Sequence, residues 1–192
     1  MAPLAQERSY SYADLLAWDD GKRYELYSGQ PMALASPTDV HQAICAELIR
    51  QLANYLVGKP CKVFPAPFDV RLFEKAGDSP DNVDTVLQPD ILVVCDQNKI
   101  GRHGVHGAPD LVVEVLSDSS RRIDRLTKFS LYQQAGVLEY WIVDPVTCTV
   151  CVHTLEDGAY HAATVYSSKL SIPVGVLDNC NIDLSTVFEA AG

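Results

Sequence analysis

Apolar and polar positions change rhythm along the chain, and each change marks an element. From residue 39 to 58, His41, Ile44, Cys45, Leu48, Leu52, Tyr55 and Leu56 recur every three or four places. That is the spacing of one face of an amphipathic helix. Thr38 stands where a cap is needed, and Gly58 marks the end. His41 opens the apolar stripe, so its imidazole is expected to point inward. Earlier, Ser11 is placed to cap a short helix through YADLLAW, with Asp14 in its first turn. The run RYELYSGQPMALAS then reads as a hairpin turning at Ser28-Gly29, which makes Glu25 a strand residue.

Further along, the helical rhythm gives way to short apolar runs. CKVFPAPFDVRLF predicts two short strands interrupted by Pro65 and Pro67, and EKAGDSPDNVDT is a polar loop. DILVVC and DLVVEVLS predict strands, joined by a loop over DQNKIGRHGVHGAP. A helix from about Ser119 to Ala135 then leads to strands EYWIVD and TCTVCVHT. The last thirty-odd residues yield only YHAATVY and short apolar pieces of uncertain type. A strand, a helix and a second strand in this order form a parallel crossover. Runs apolar on both faces belong to a sheet covered on both sides. The fold class expected is therefore α/β or α+β, a single domain over residues 1–192 with a mixed sheet flanked by helices.

Inside that pattern Glu114 is out of place. It sits mid-strand in DLVVEVLS, where taking an ion out of water costs far more than its aliphatic neighbours return. Asp110 shares its face but stands about 13 Å away along the strand, too far for a common cation. Asp90, at the start of the other apolar strand, is the better partner. If the two strands pair at about 4.8 Å, the two carboxylates converge on one divalent ion. The bland alternatives are a solvent-facing Asp90 and a buried ion pair from Glu114 to Arg121, Arg122 or Lys128.

Composition narrows the setting. The 192 residues carry a net charge of −10, which argues against broad electrostatic capture of nucleic acid. The charge is uneven, however: residues 99–128 hold 6 Lys/Arg against 4 Asp/Glu, the one net-positive stretch, and it surrounds Glu114. No apolar run approaches a membrane span and the N-terminus lacks a secretory pattern, so a cytoplasmic protein without membrane contact is expected. The six cysteines mostly fall in apolar patterns, as reduced thiols do, and no disulfide is expected. Cys148 and Cys151 lie three apart on a predicted strand, on opposite faces, which disfavours a zinc or redox pair.

The ordered set Pro89-Asp90, then Glu114-Val115-Leu116, resembles the PD-(D/E)XK nuclease superfamily. The wider pattern YELYSGQ, SPTDVHQAI, QPDILVV and APDLVVEVLSDSSRRIDRLTKFSLYQQAGVLEYWIVDP is similar to its Uma-type putative restriction endonuclease branch, over about residues 20 to 146. The resemblance implies a restriction endonuclease-like fold and a site in which Asp90, Glu114 and the Val115 carbonyl bind Mg²⁺, with Mn²⁺ as a substitute. Glu25 matches a supporting acid and His41 a histidine early in the long helix. Leu116 departs from the pattern, since it occupies the lysine position and can neither orient water nor stabilise an anion. The resemblance moves the lysine to the following helix, where Lys128 shares a face with Arg121, Asp124 and Arg125; its bland reading is a surface pair with Asp124.

Together these readings imply a Mg²⁺-dependent DNA endonuclease with Asp90, Glu114, Lys128, Glu25 and His41 in its active site. Arg121 and Arg122 are expected as phosphate contacts, and a homodimer would cut both strands. Two other classes remain open: a non-catalytic nucleic-acid-binding or regulatory module keeping the nuclease fold, and a protein-interaction domain that binds no metal.

Overall fold

The computed structural model describes residues 8–75, 77–117 and 120–192. In chain order, helix α1 (Tyr12–Ala17) leads to the hairpin β1 (Tyr24–Tyr27) and β2 (Gln30–Ala33), then the long helix α2 (Asp39–Leu56). Strands β3 (Lys62–Pro65), β4 (Asp69–Arg71), β5 (Val86–Leu87), β6 (Ile91–Val94), β7 (Ile100–Gly101), β8 (Gly104–His106) and β9 (Leu111–Val115) follow. A π-helical stretch, Ile123–Lys128, runs into α3 (Phe129–Ala135). The chain closes with β10 (Glu139–Asp144), β11 (Thr149–Glu156), β12 (Ala159–Tyr160), β13 (Thr164–Ser167), β14 (Ser171–Pro173), β15 (Asn181–Asp183) and α4 (Leu184–Glu189).

Local chemistry sets the early elements as expected. Ser11 and Asp14 form a reciprocal capping box on α1, and the Thr38 hydroxyl accepts from the His41 amide at the start of α2. Ser28 and Gly29 both take positive φ, the conformation a two-residue hairpin turn requires.

The principal sheet is mixed, in the order β12-β11-β10-β9-β6-β3, with β13 also on β11. Strands β9 and β10 run parallel across the predicted helical crossover, while β6 pairs antiparallel with β9. Both faces are covered. On one face α2 buries Ile44, Leu48 and Leu52 against Ile91, Val113 and Trp141, and each such side chain contributes about 1.5–3 kcal/mol on leaving water. On the other, Tyr132 of α3 packs with Leu92, Val112, Leu116 and Tyr140.

Three features depart from the sequence reading, and one expected boundary falls outside the described residues. The stretch read as a loop after β6 holds the hairpin β7–β8, whose two- and three-residue strands are too short to show a period. Gly104 is required there, because a Cβ at that position would lie 2.1 Å from the Asp69 carbonyl oxygen of neighbouring β4. The C-terminal pieces become β14, β15 and α4, which supply Ile172, Ile182, Leu184 and Val187 to the α2 side of the core. The helix expected from Ser119 is seen from Arg121 onward; Ser119 lies outside the described residues. Finally, Cys61 and Cys95 form a disulfide, against the expectation of none. The physical reason is register: Lys62 pairs with Val94, so the residues just outside that pair face each other across β3 and β6. Cys148 and Cys151 stay free and pack on opposite sides of the sheet.

Candidate active site

The antiparallel register of β6 and β9 runs Val93 to Leu111, Leu92 to Val112 and Ile91 to Val113. One step further it brings Asp90 opposite Glu114, both lining a cleft of about 940 Å³. Glu25, His41, Val115, Asp124 and Lys128 line the same cleft, so the chain gathers every residue of the expected catalytic set in one place.

Glu114 is buried at 3% exposure, and its Oε1 accepts hydrogen bonds from Lys128 Nζ at 2.9 Å and Tyr132 Oη at 2.8 Å. Lys128 is equally buried. Its ammonium also stands 3.2 Å from Glu25 Oε1 and 3.4 Å from Asp124 Oδ1. The pairing with Asp124 is therefore present, but inside the protein rather than on its surface. Lys128 is the last residue of the π-helical stretch, a winding frequently found at functional sites.

Glu25 is fixed at its other bonds. Its Oε1 accepts from the Gln88 amide at 2.8 Å and its Oε2 from the Tyr27 hydroxyl at 2.5 Å. Asp90 uses Oδ2 twice, accepting from the Val115 amide at 2.8 Å and meeting His41 Nε2 at 3.1 Å. Through that one oxygen Asp90, His41 and Val115 form one connected group. The inward orientation expected of His41 is what the structure has.

The electrostatics follow from burial. Loss of water pushes the Glu114 carboxyl well above its ordinary range; Lys128 opposes this, while Asp124, Asp90 and Glu25 reinforce it. Burial raises Asp124 in the same way against the pull of Lys128. For Lys128, burial favours the neutral amine, but Glu114 and Glu25 more than reverse it and hold the ammonium well above its usual value. Burial lowers His41, and the hydrogen bond and charge of Asp90 outweigh it to leave a net upward shift. Four carboxylates thus influence one another around a single lysine ammonium.

That imbalance bears on whether a cation fits. Asp124 Oδ1 is buried and makes no hydrogen bond, its contact with Lys128 being an ion pair at 3.4 Å. Carboxylate oxygens with excess negative charge and a main-chain carbonyl at hand are the donors Mg²⁺ prefers, so the residues fit the metal. Glu114 keeps Oε2 clear of the Lys128 and Tyr132 bonds, both of which fall on Oε1.

The expected phosphate contacts fare differently. Arg121 donates to Asp144 Oδ2 at 2.7 Å, and Arg125 reaches the same oxygen at 3.3 Å. These contacts anchor the helix to the end of β10. Arg122 is exposed. Leu116 lies in the apolar cluster with Tyr132 and Val112 at 3% exposure, consistent with its failure to serve as the motif lysine. Tyr132, Tyr27, Gln88 and Cys45 also belong to this neighbourhood and were not singled out from the sequence. Two of them carried a local signal, the helical spacing that puts a pair on one face: Tyr132, four residues after Lys128, and Cys45, four residues after His41.

Comparison with known proteins places these features in context. The model of the Uma2 family, described as putative restriction endonuclease, matches residues 12–185. An uncharacterized protein of Synechocystis sp., slr1290, is 27% identical over 161 residues, covering 82% of this chain and 80% of the relative. The crystal structure of a putative nuclease belonging to DUF820 from Anabaena variabilis superposes with a TM-score of 0.74 at 17% identity, covering 94% of this chain and 98% of that one.

Proposed function

The chain belongs to the Uma2 family of putative restriction endonucleases, and from that premise we propose that it is a Mg²⁺-dependent endonuclease hydrolysing phosphodiester bonds in DNA. The observation that carries the reading is a set of three buried carboxylates, Glu25, Glu114 and Asp124, about one ammonium, with the part-buried Asp90 beside them. A charge imbalance of that kind is expensive in a closed core and is relieved by a divalent cation. The fold agrees with the reading, and because fold alone does not decide activity, the weight rests on the side chains.

Asp90 and Glu114 would hold the ion with the Val115 carbonyl, and Glu25 would support it. When bound, Mg²⁺ supplies Lewis acidity, acidifying water and offsetting the charge that accumulates on phosphate in the transition state. Lys128 is protonated and held by three acids, so it acts as a fixed positive charge and hydrogen-bond donor rather than as a base. A donor preset toward developing negative charge loses nothing to reorganisation during reaction. His41 orients Asp90 through Oδ2. Cleavage of both strands by one site per chain fits a homodimer.

Plasmid cleavage tests this proposal. The wild type with Mg²⁺ is expected to nick or linearise the substrate, with chelation or Asp90→Ala abolishing the reaction. Metal-dependent cleavage that survives in both Asp90→Ala and Glu114→Ala would contradict the site assignment.

A further inference from the structure

The reading above leaves Cys45 without a role, although it lines the same cleft. Cys45 follows His41 by four residues on α2, so the two project from one helix face. His41 Nδ1 lies 3.7 Å from Cys45 Sγ, and Nε2 lies 3.1 Å from Asp90 Oδ2. One ligand atom from each of the three residues falls within 4.8 Å of the others, the one such His/Cys/Asp/Glu group among the described residues. Ions such as Zn²⁺ sit about 2.0 to 2.3 Å from nitrogen, oxygen and sulfur donors. Small rotations of His41 and Asp90 therefore bring all three onto a single ion.

We propose that His41, Cys45 and Asp90 form a binding site for a sulfur-accepting transition ion, represented by Zn²⁺, and that filling it switches off Mg²⁺-dependent cleavage by withdrawing Asp90. The inhibitory half rests on the nuclease reading; the binding half does not. A nitrogen, sulfur and oxygen set is a poor match for Mg²⁺, which takes oxygen donors, and a good one for Zn²⁺. Three protein ligands leave one coordination position open on the cleft side. Burial keeps the Cys45 thiol protonated without metal. On binding, the thiol proton passes to solvent as the metal–sulfur bond forms, while His41 coordinates through a neutral ring nitrogen. The same Asp90 cannot serve both ions in one geometry, and competition between them follows.

Co²⁺ titration of the full chain, followed by its ultraviolet thiolate-to-metal charge-transfer band, tests the site. One equivalent of Co²⁺ is expected to develop the band in the wild type, and Zn²⁺ to displace it. Cys45→Ala and Cys45→Ser, the latter preserving volume, should both lose the band, and His41→Ala, which removes a ligand, should weaken binding by at least the roughly ten- to hundredfold that loss of an outer-shell partner costs. In Mg²⁺-supported cleavage, the Zn²⁺ concentration that halves each protein's own zinc-free rate should rise at least about tenfold in the Cys45 variants. Absence of the band in the wild type, or its persistence in both Cys45 variants, overturns the site. A Cys45-dependent band with no inhibition by Zn²⁺ overturns the switch. A Cys45-dependent band in a protein that never cleaves DNA upholds the site and removes the nuclease reading.

Discussion

Lys128 Nζ and Glu114 Oε1 meet at 2.9 Å with only 6% and 4% of their side chains exposed. An ion pair so far from water is held by mutual need: each charge makes the other tolerable, and neither is tolerable alone. The geometry gives the helix after β9 a fixed anchor on the strand and puts a permanent cation beside the acids proposed to hold the metal.

Breaking that pair should therefore cost both stability and activity. Lys128→Ala is expected to lose about 3–5 kcal/mol in urea unfolding, because it strands Glu114 and Glu25. The double variant Glu114→Leu/Lys128→Met should recover only part of that loss, because Glu25 and Asp124 still lack the ammonium, and should remain without cleavage. Recovery of activity along with stability would show that the pair serves the fold alone.

Tyr132 donates to the same Glu114 oxygen. Tyr132→Phe removes one buried hydrogen bond while keeping the ring in the core, so it should cost about 1–3 kcal/mol. Cleavage should fall far less than in Lys128→Ala, because the ammonium stays in place. Denaturant unfolding and initial cleavage rates together check this ordering.

An acid-limb prediction comes from the junction of α2 and α4. The hydrogen bonds from Arg50, assisted by Thr186 and Gln51 and opposed by burial, hold the Glu47 carboxyl down at about 2. A depressed acid contributes stability that is complete above its unfolded value of about 4.3 and disappears as pH falls toward the folded value. Glu47→Gln should thus be less stable than the wild type near neutrality, the gap closing between about pH 4.3 and pH 2. A gap that stays constant through that window would contradict the assignment.

The disulfide predicts a thiol count. Six cysteines with one bridge leave four free thiols, Cys45, Cys148, Cys151 and Cys180. The denatured, unreduced protein should alkylate at those four only. Closing a 34-residue separation should raise stability by about 3–4 kcal/mol relative to Cys61→Ser/Cys95→Ser.

Much of this architecture was legible because local rules carried it. Helix α2 announced itself by period, and Ser11, Thr38 and Ser28-Gly29 marked their own caps and turn. Glu114 stood out since a charge in an apolar strand needs a partner, while Lys128 came from the family resemblance, whose lysine position is taken by Leu116. What stayed hidden depended on register and distance along the chain. The Cys61–Cys95 bridge exists only through the pairing of β3 with β6, and the hairpin β7–β8 is too short to show a period. Asp144, which takes Arg121 and Arg125 away from the cleft, lies on β10, about twenty residues beyond them. No local pattern forecasts that pairing.

The central claim is that the acidic cluster binds a divalent cation and uses it on DNA. Calorimetric titration of Mg²⁺ into the wild type and Glu114→Gln, with DNA cleavage followed in the same buffer, tests it most directly. The account predicts saturable binding and cleavage in the wild type, and loss of both in the variant. Failure of the wild type to bind Mg²⁺ or Mn²⁺ would contradict it, leaving Glu114 and Lys128 as a structural ion pair.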